Sequence, residues 1–296
     1  MSASLRRVLV LGCGLIGTSV ALALRAAGVH VHLADRDLRA VQHAERLGAG
    51  LPHRPGDPAA DVVVVATPPS AVPRVLRDAQ ARGLGAVYTD VASTKGRLLA
   101  EAEAAGCDLA TYVPGHPLAG GESSGPAAAR GSLFAGRSWA LCPHPATSPK
   151  TLAAVAELVR LCGAETVLLP ATAHDRVAAA VSHVPHLVSS ALAARFADAD
   201  ETTLSLVGQG LRDVTRIAGG ASGLWRDILE QNADAVATVL EQLVEDLAMA
   251  AAALRGRGGA AGDPPTDPLT DLLVRGNRGR ELIVRARAAK VESLAA

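Results

Sequence analysis

The sequence predicts an α/β chain, with a doubly wound parallel sheet in its first part and an all-helical domain in its second. Three observations carry that expectation. Short aliphatic runs (RVLVL, VHVHLA, DVVVVA, GAVYTD) recur up to about residue 168, with helical stretches between them. Glycines cluster directly behind the first run. From Pro170 to about Arg255 the chain turns alanine- and leucine-rich and strand signals fade. The division is accordingly placed at residues 1–168 and 169–296.

Bulk properties narrow the class. A length of 296 residues with 49% hydrophobic side chains is enough to bury a core. Lys and Arg total 29, equal to Asp and Glu at 29, so no long-range field draws nucleic acid or an acidic membrane. Aromatics at 2% argue against base-stacking platforms. Cys13, Cys107, Cys142 and Cys162 form no CxxC pair or zinc spacing, which reads as reduced thiols in a cytoplasmic protein. The opening LRRVLVLGCGLIGTSVALAL has the arginines and apolar run of a secretory signal, but glycines break it and it is short for a membrane span.

RVLVLGCGLIG sets a strand directly before Gly12, Gly14 and Gly17, and TSVALALRAAG continues as a helix closing near Gly28. In this GxGxxG the first glycine permits a tight turn and the second lets backbone approach a pyrophosphate. The third lets helix pack on strand, leaving helix N–H groups facing the phosphates. A second strand ends in Asp35, where a carboxylate accepts hydrogen bonds from an adenosine ribose. The pattern predicts a Rossmann-type dinucleotide site at Gly12, Gly14, Leu15, Ile16, Gly17 and Asp35. Asp35 repels the extra phosphate of NADP, so NAD is the expected cofactor. Arg36 either pairs with that phosphate, stacks on adenine or stands as a solvated charge.

DVVVVATPPS is a buried-type strand stopped by Pro68 and Pro69, which puts Thr67 and Pro68 at the edge where such sheets bind ligands. GAVYTDVASTKG gives a strand from about Ala86 to Asp90, a polar loop and a helix from about Lys95. Ser93 falls where a helix cap would fall. A strand near Leu109–Val113 leads into GHPLAGGESSG, almost free of periodicity and read as a glycine-rich loop. That loop carries His116 to the nicotinamide end of the cofactor, with a solvated turn histidine as the plain alternative.

After the strand ETVLL, HDRVAAAVSHVPHLVSSALAARF reads as one long helix, kinked at Pro185, with His183 and His186 on one face. HxxH lacks a third ligand, so no metal is expected. In GLRDVTRIAGGASGLWRDILEQN, Arg212 and Arg216 stand one turn apart. Arg216, set among Val214, Ile217 and Ala218, is expected to be partly buried and to hold an anion. Gly256 to Pro268 reads as a linker, and the last segment as a basic amphipathic helix or helix pair.

GCGLIG, TDVASTKG, GHPLAGGESSG, HDRVAAAVSHVPH and RDVTRIAGGASGLWRDI, in that order and spacing over roughly residues 7 to 255, resemble the prephenate dehydrogenase family. The resemblance implies NAD(P)-dependent oxidative decarboxylation of a cyclohexadienyl substrate, toward tyrosine through 4-hydroxyphenylpyruvate, in a homodimer. It implies that His116 contacts the ring hydroxyl and serves as general base, and that Ser93 orients hydroxyl and histidine. Arg216 would hold a carboxylate, with Trp225 from the partner, His186, Glu122 and Arg212 near the substrate's side chain. Arg212 stands where relatives often carry lysine, and the tail lacks an IPGK ending. Arogenate and 4-amino-4-deoxyprephenate stay open as substrates, and an NAD-sensing protein without turnover is the alternative from another class.

Overall fold

The valine-rich runs become strands because they are buried on both faces, where β-branched side chains pack on a pleated surface. The computed structural model describes residues 5–121, 123–256 and 268–295. Six strands, β1 (Arg7–Leu11), β2 (His30–Ala34), β3 (Leu51–Pro52), β4 (Ala60–Val65), β5 (Gly85–Asp90) and β6 (Tyr112–Val113), form one parallel sheet. Their order is β3-β2-β1-β4-β5-β6. Strand order reverses between β1 and β4, so a crevice opens at the carboxyl ends of those two strands.

Helices α1 (Leu15–Ala26), α2 (Leu38–Arg46), α3 (Val72–Ala81) and α4 (Gly96–Ala104) follow the strands in turn. Val8, Val10, Val31, Leu33, Val62 and Val64 share a buried cluster with Val20 and Leu24 of α1. The alternate residues Leu9, Val63, Val65 and Tyr88 pack instead with Leu76 of α3 and Leu98 of α4. This two-sided burial follows from the period of two along each strand. The N-terminal run that imitates a secretory signal is therefore β1 and α1.

Three further strands, β7 (Gly115–Pro117), β8 (Ser138–Leu141) and β9 (Glu165–Leu168), make a small second sheet, with α5 (Pro149–Leu161) between the last two. This corrects the reading of GHPLAGGESSG as loop throughout. Gly115, His116 and Pro117 pair antiparallel with Leu141, Ala140 and Trp139 and are buried. Three residues are too few for a periodicity to register.

Beyond β9 the chain is helical: α6 (Ala171–Ala178), α7 (Val184–Ala193), α8 (Glu201–Ser205), α9 (Gln209–Thr215), α10 (Ser222–Gln231), α11 (Ala233–Leu254) and α12 (Pro268–Ala295). The break expected at Pro185 lies just before it. A π-helical turn, Ala179–His183, joins α6 to α7, and Pro185 sits in the first turn of α7. Proline has no N–H for the carbonyl four residues back, so the ladder shifts register ahead of it. Ala171–Phe196 is long and apolar enough by composition to cross a bilayer. Its buried side, however, carries His174, Asp175, His183 and His186.

The chain divides into two compact units, Met1–Val236 and Ala237–Ala296. In the second, Arg275 pairs with Asp246 at 2.9 Å and Asp271 at 2.7 Å, and Leu273, Val274, Leu282 and Ile283 are exposed. The terminal segment is one helix rather than a pair. Most of the expected linker, residues 257–267, lies outside the described residues. All four cysteines are buried and unbridged, and burial pushes the thiols of Cys13, Cys142 and Cys162 up to about 12.

Candidate active site

The three loop glycines meet three different constraints. Gly12 has φ +113°, and a Cβ there would lie 2.3 Å from the Ala66 carbonyl oxygen at the end of β4. A Cβ on Gly17 would sit 2.0 Å from the Gly12 carbonyl oxygen, so helix and strand pack with no room for a side chain. Gly14 differs, since a Cβ there would meet nothing within 4 Å. That open space lies at the N-terminus of α1, where Gly14 caps without a side chain and the first turn holds no acidic residue. First-turn N–H groups have no intrahelical partner, so this cradle fits a pyrophosphate. Beside it lies a cavity of ≈ 340 Å³ lined by Leu15, Gly120, Gly121, Ser123 and Arg130.

Asp35, at the end of β2, accepts the Cys13 N–H of the glycine loop on Oδ2 (2.6 Å) and the Asp37 N–H on Oδ1 (2.9 Å). These contacts fix its carboxylate against the glycine loop while leaving each oxygen further acceptor capacity. Arg36 is exposed. Thr67 and Pro68 follow β4 at the same edge, and the buried Thr67 hydroxyl has no partner in the protein. The donor set and the open cradle together fit a dinucleotide.

His116 stands on β7 because of its neighbours. A Cβ on Gly115 would come within 2.7 Å of the Asp90 carbonyl oxygen and 3.0 Å of Trp139 Nε1, so only glycine lets the strand approach the end of β5. The His116 Nδ1 lies 2.8 Å from His174 Nε2, and the His174 Nδ1 lies 2.8 Å from Asp175 Oδ1. A carboxylate can only accept, so with His174 in its neutral form that ring donates from Nδ1 and presents Nε2 as an acceptor. His116 must then donate from Nδ1, which leaves its Nε2 unprotonated. Burial above all, then the neighbouring His174, Lys95 and His183, holds His116 well below the usual imidazole range. It is neutral at neutral pH and offers a basic nitrogen.

Asp175 also ends another helix. It accepts the backbone N–H of Lys95 (2.8 Å) and of Gly96 (2.7 Å), capping α4 from about one turn into α6. This corrects the capping assignment: Ser93 is not the cap, and the His116 Nδ1 turns to His174 rather than to Ser93. Burial pushes the Asp175 carboxyl up, but the hydrogen bonds from His174, Gly96 and Lys95 outweigh it and hold it below its ordinary value. Under β7, Lys95 and Tyr112 both bond the buried Asp90, which accepts the Ala92 N–H as well. The ammonium, 0% exposed, is therefore an ion-paired charge near His116.

His183 is buried, and Asn232 Nδ2 bridges its Nδ1 (3.1 Å) and the Asp175 carbonyl (2.8 Å). Burial lowers the His183 imidazole to about 4. His186 stacks on Trp225 with centroids 3.5 Å apart and planes 8° from parallel. Trp225 thus lies against a histidine of its own chain. Gly220 makes room for the stack, since a Cβ there would fall 2.2 Å from Trp225 Nε1. Arg212 is exposed on α9, and Arg216 is exposed too, against the expectation of partial burial: Val214 beside it is itself 53% exposed. Apolar neighbours in sequence do not bury a residue whose helix face points outward. Glu122 lies outside the described residues.

Sequence reading missed His174, Asp175 and Lys95. Two of them stand in the HDR run, adjacent to each other, and a histidine–aspartate pair inside an apolar helix is a signal that could have drawn attention.

Two family profiles match the chain: prephenate dehydrogenase, nucleotide-binding domain, over residues 20–168, and prephenate dehydrogenase, dimerization domain, over residues 170–261. The chain is 41% identical to the probable prephenate dehydrogenase NovF of Streptomyces niveus, over 93% of this chain and 76% of that one. It is 30% identical to the cyclohexadienyl dehydrogenase of Zymomonas mobilis, over 86% of this chain and 90% of that one. Among solved structures, prephenate dehydrogenase from A. aeolicus in complex with hydroxyphenyl propionate and NAD+ superposes with a TM-score of 0.82 at 26% identity. That likeness covers 96% of this chain and 100% of the other.

Proposed function

The chain belongs to the prephenate dehydrogenase family of NAD-dependent oxidoreductases, and from that premise we propose that it converts prephenate and NAD+ into 4-hydroxyphenylpyruvate, carbon dioxide and NADH. The observation that carries this reading is the buried His116, neutral and with its Nε2 unprotonated, at the carboxyl edge of a nucleotide-binding sheet. NAD, when bound, accepts the hydride from the ring carbon that bears the hydroxyl. The His116 Nε2 takes the hydroxyl proton as carbonyl character builds. Asp175, through His174, favours the imidazolium so formed, and the nearby Lys95 charge opposes it. Carbon dioxide leaves the opposite ring carbon, its bonding pair flows toward the carbonyl oxygen, and His116 returns the proton to the resulting phenolate. Ser93 orients the hydroxyl, and Arg216 holds a carboxylate of the substrate. We assign His186, Trp225 and Arg212 to the substrate's side chain, with Glu122 given the same role on its sequence position alone.

The hydroxyphenyl carboxylate held with NAD+ by the A. aeolicus enzyme supports a phenolic product with a carboxylate tail. We assign nucleotide binding to residues 1–168 and substrate binding and homodimerisation to residues 169–296, in the cytoplasm. The dimerization-domain match and the exposed Leu273, Val274, Leu282 and Ile283 support the assembly.

Steady-state assays with prephenate, arogenate and 4-amino-4-deoxyprephenate test the reading. Prephenate is expected to give the highest kcat/KM. A higher value for either amine overturns the substrate, and no turnover with any of the three overturns the enzyme in favour of an NAD-binding protein.

The same assay addresses the cofactor. With Asp35 placing a negative charge at the ribose, kcat/KM for NAD is expected to exceed that for NADP. Equality, or a preference for NADP, would mean that the exposed Arg36 outweighs Asp35.

A further inference from the structure

We propose that His32, His53 and Asp57 form a binding site for a divalent transition-metal ion of the zinc class, on the sheet face beside the edge strand β3. His32 lies in the middle of β2 and is register partner to Leu51 of β3. His53 follows β3 directly, and its N–H donates to the Leu33 carbonyl (2.8 Å), which extends the ladder by one bond. Side chains alternate along a strand, so position 53 points to the same face as position 51, the face His32 shares.

Asp57 reaches this face by a tight turn. The Asp57 N–H bonds the Arg54 carbonyl (3.1 Å), with Pro55 and Gly56 at the corners and Gly56 at φ +93°. That is the pattern of a type II turn, for which proline and then glycine are preorganised. The Arg54 N–H in turn donates to Asp57 Oδ2 (2.7 Å), fixing the carboxylate. The ladder thus fixes the backbone at His32 and His53, and the turn fixes the Asp57 carboxylate beside them.

Their separations decide between an ion pair and a metal. The Nδ1 atoms of His32 and His53 stand 3.3 Å and 3.4 Å from the same oxygen, Asp57 Oδ2. An N–H···O bond prefers about 2.7–3.2 Å, and one carboxylate oxygen already serving a backbone N–H is a poor third stop for two more donors. A tetrahedral zinc ion with ligands at about 2.0–2.1 Å sets those ligands about 3.3 Å apart. All three ligand atoms lie within 4.8 Å of one another. Two imidazoles and a carboxylate are a ligand set suited to zinc, and a fourth position would be left to water.

Such an ion would clasp a two-residue edge strand and the loop after it to β2, at residues that take no part in the proposed reaction. The test uses the full-length protein stripped with chelator. Calorimetric titration with Zn²⁺ is expected to show one equivalent bound, and Co²⁺ is expected to give the intense visible absorption of a tetrahedral site. In His53→Gln, checked for unchanged Tm in chelator, affinity is expected to fall more than about 10-fold, with kcat unchanged. Absence of saturable one-to-one uptake by the unsubstituted protein overturns the proposal. So does uptake that His53→Gln leaves unaltered, which would place the ion elsewhere.

Discussion

In His116→Asn, kcat is expected to fall by about 10²- to 10⁴-fold while NAD affinity stays nearly unchanged. Asparagine keeps a polar group of similar reach but removes the basic nitrogen. The glycine loop and Asp35 are built on β1, α1 and β2, elements distinct from β7. Loss of both properties together would indicate collapse of the β7 region instead, so binding is measured alongside turnover. A near-normal kcat would remove His116 from the proton transfer. The unsubstituted enzyme carries a second readout. The lowered affinity of His116 for protons keeps it unprotonated at and below pH 6.5, so the acid limb of the kcat profile is expected below that value, with activity lost only as pH falls further. An acid limb above 6.5 would contradict the buried, neutral base.

Asp175→Asn is the second large effect, with kcat expected to fall by about 10²-fold or more and NAD affinity retained, by the logic that an acid-to-amide change behind a catalytic histidine spoils its tautomer. The amide cannot satisfy every donor that the carboxylate serves. If its NH₂ faces His174, that ring becomes protonated on Nε2, His116 must accept at Nδ1, and the proton moves to the nitrogen that should be the base. If its NH₂ faces Gly96 instead, the Gly96 bond of the two that cap α4 is lost and the imidazolium loses its countercharge. Either way stability falls too, by about 1 kcal/mol for a lost cap. A purely structural Asp175 would lower Tm yet leave kcat within about twofold at temperatures where the variant is folded, and that outcome would end the relay.

How much of this was legible beforehand varied with the range of the interaction. Gly12, Gly14 and Gly17 were readable with their separate duties, because turn, cradle and helix packing all fall within one strand–turn–helix segment. Asp35 followed from its position at the end of β2. His116 could be picked out by its motif, but not its strand: β7 exists only because β8, more than 20 residues on, pairs with it. The sequence points to a local cap for α4, at Ser93, since most caps are local. The structure supplies it from Asp175, 80 residues away from Lys95. The burial expected of Arg216 rests on its apolar sequence neighbours, which say nothing about the direction its helix face takes.

By itself the sequence determined the strands and helices of the large parallel sheet and the dinucleotide-binding character of its first loop, and it singled out the histidine that we propose as the base. Those properties depend on side-chain period and on residues a few positions apart. Only the tertiary structure decided the protonation state and tautomer of that histidine. They depend on desolvation by the surrounding core and on a hydrogen bond to His174, 58 residues away, oriented in its turn by Asp175. Electrostatics inside a folded chain is set by what packs around a group, and no local pattern records that.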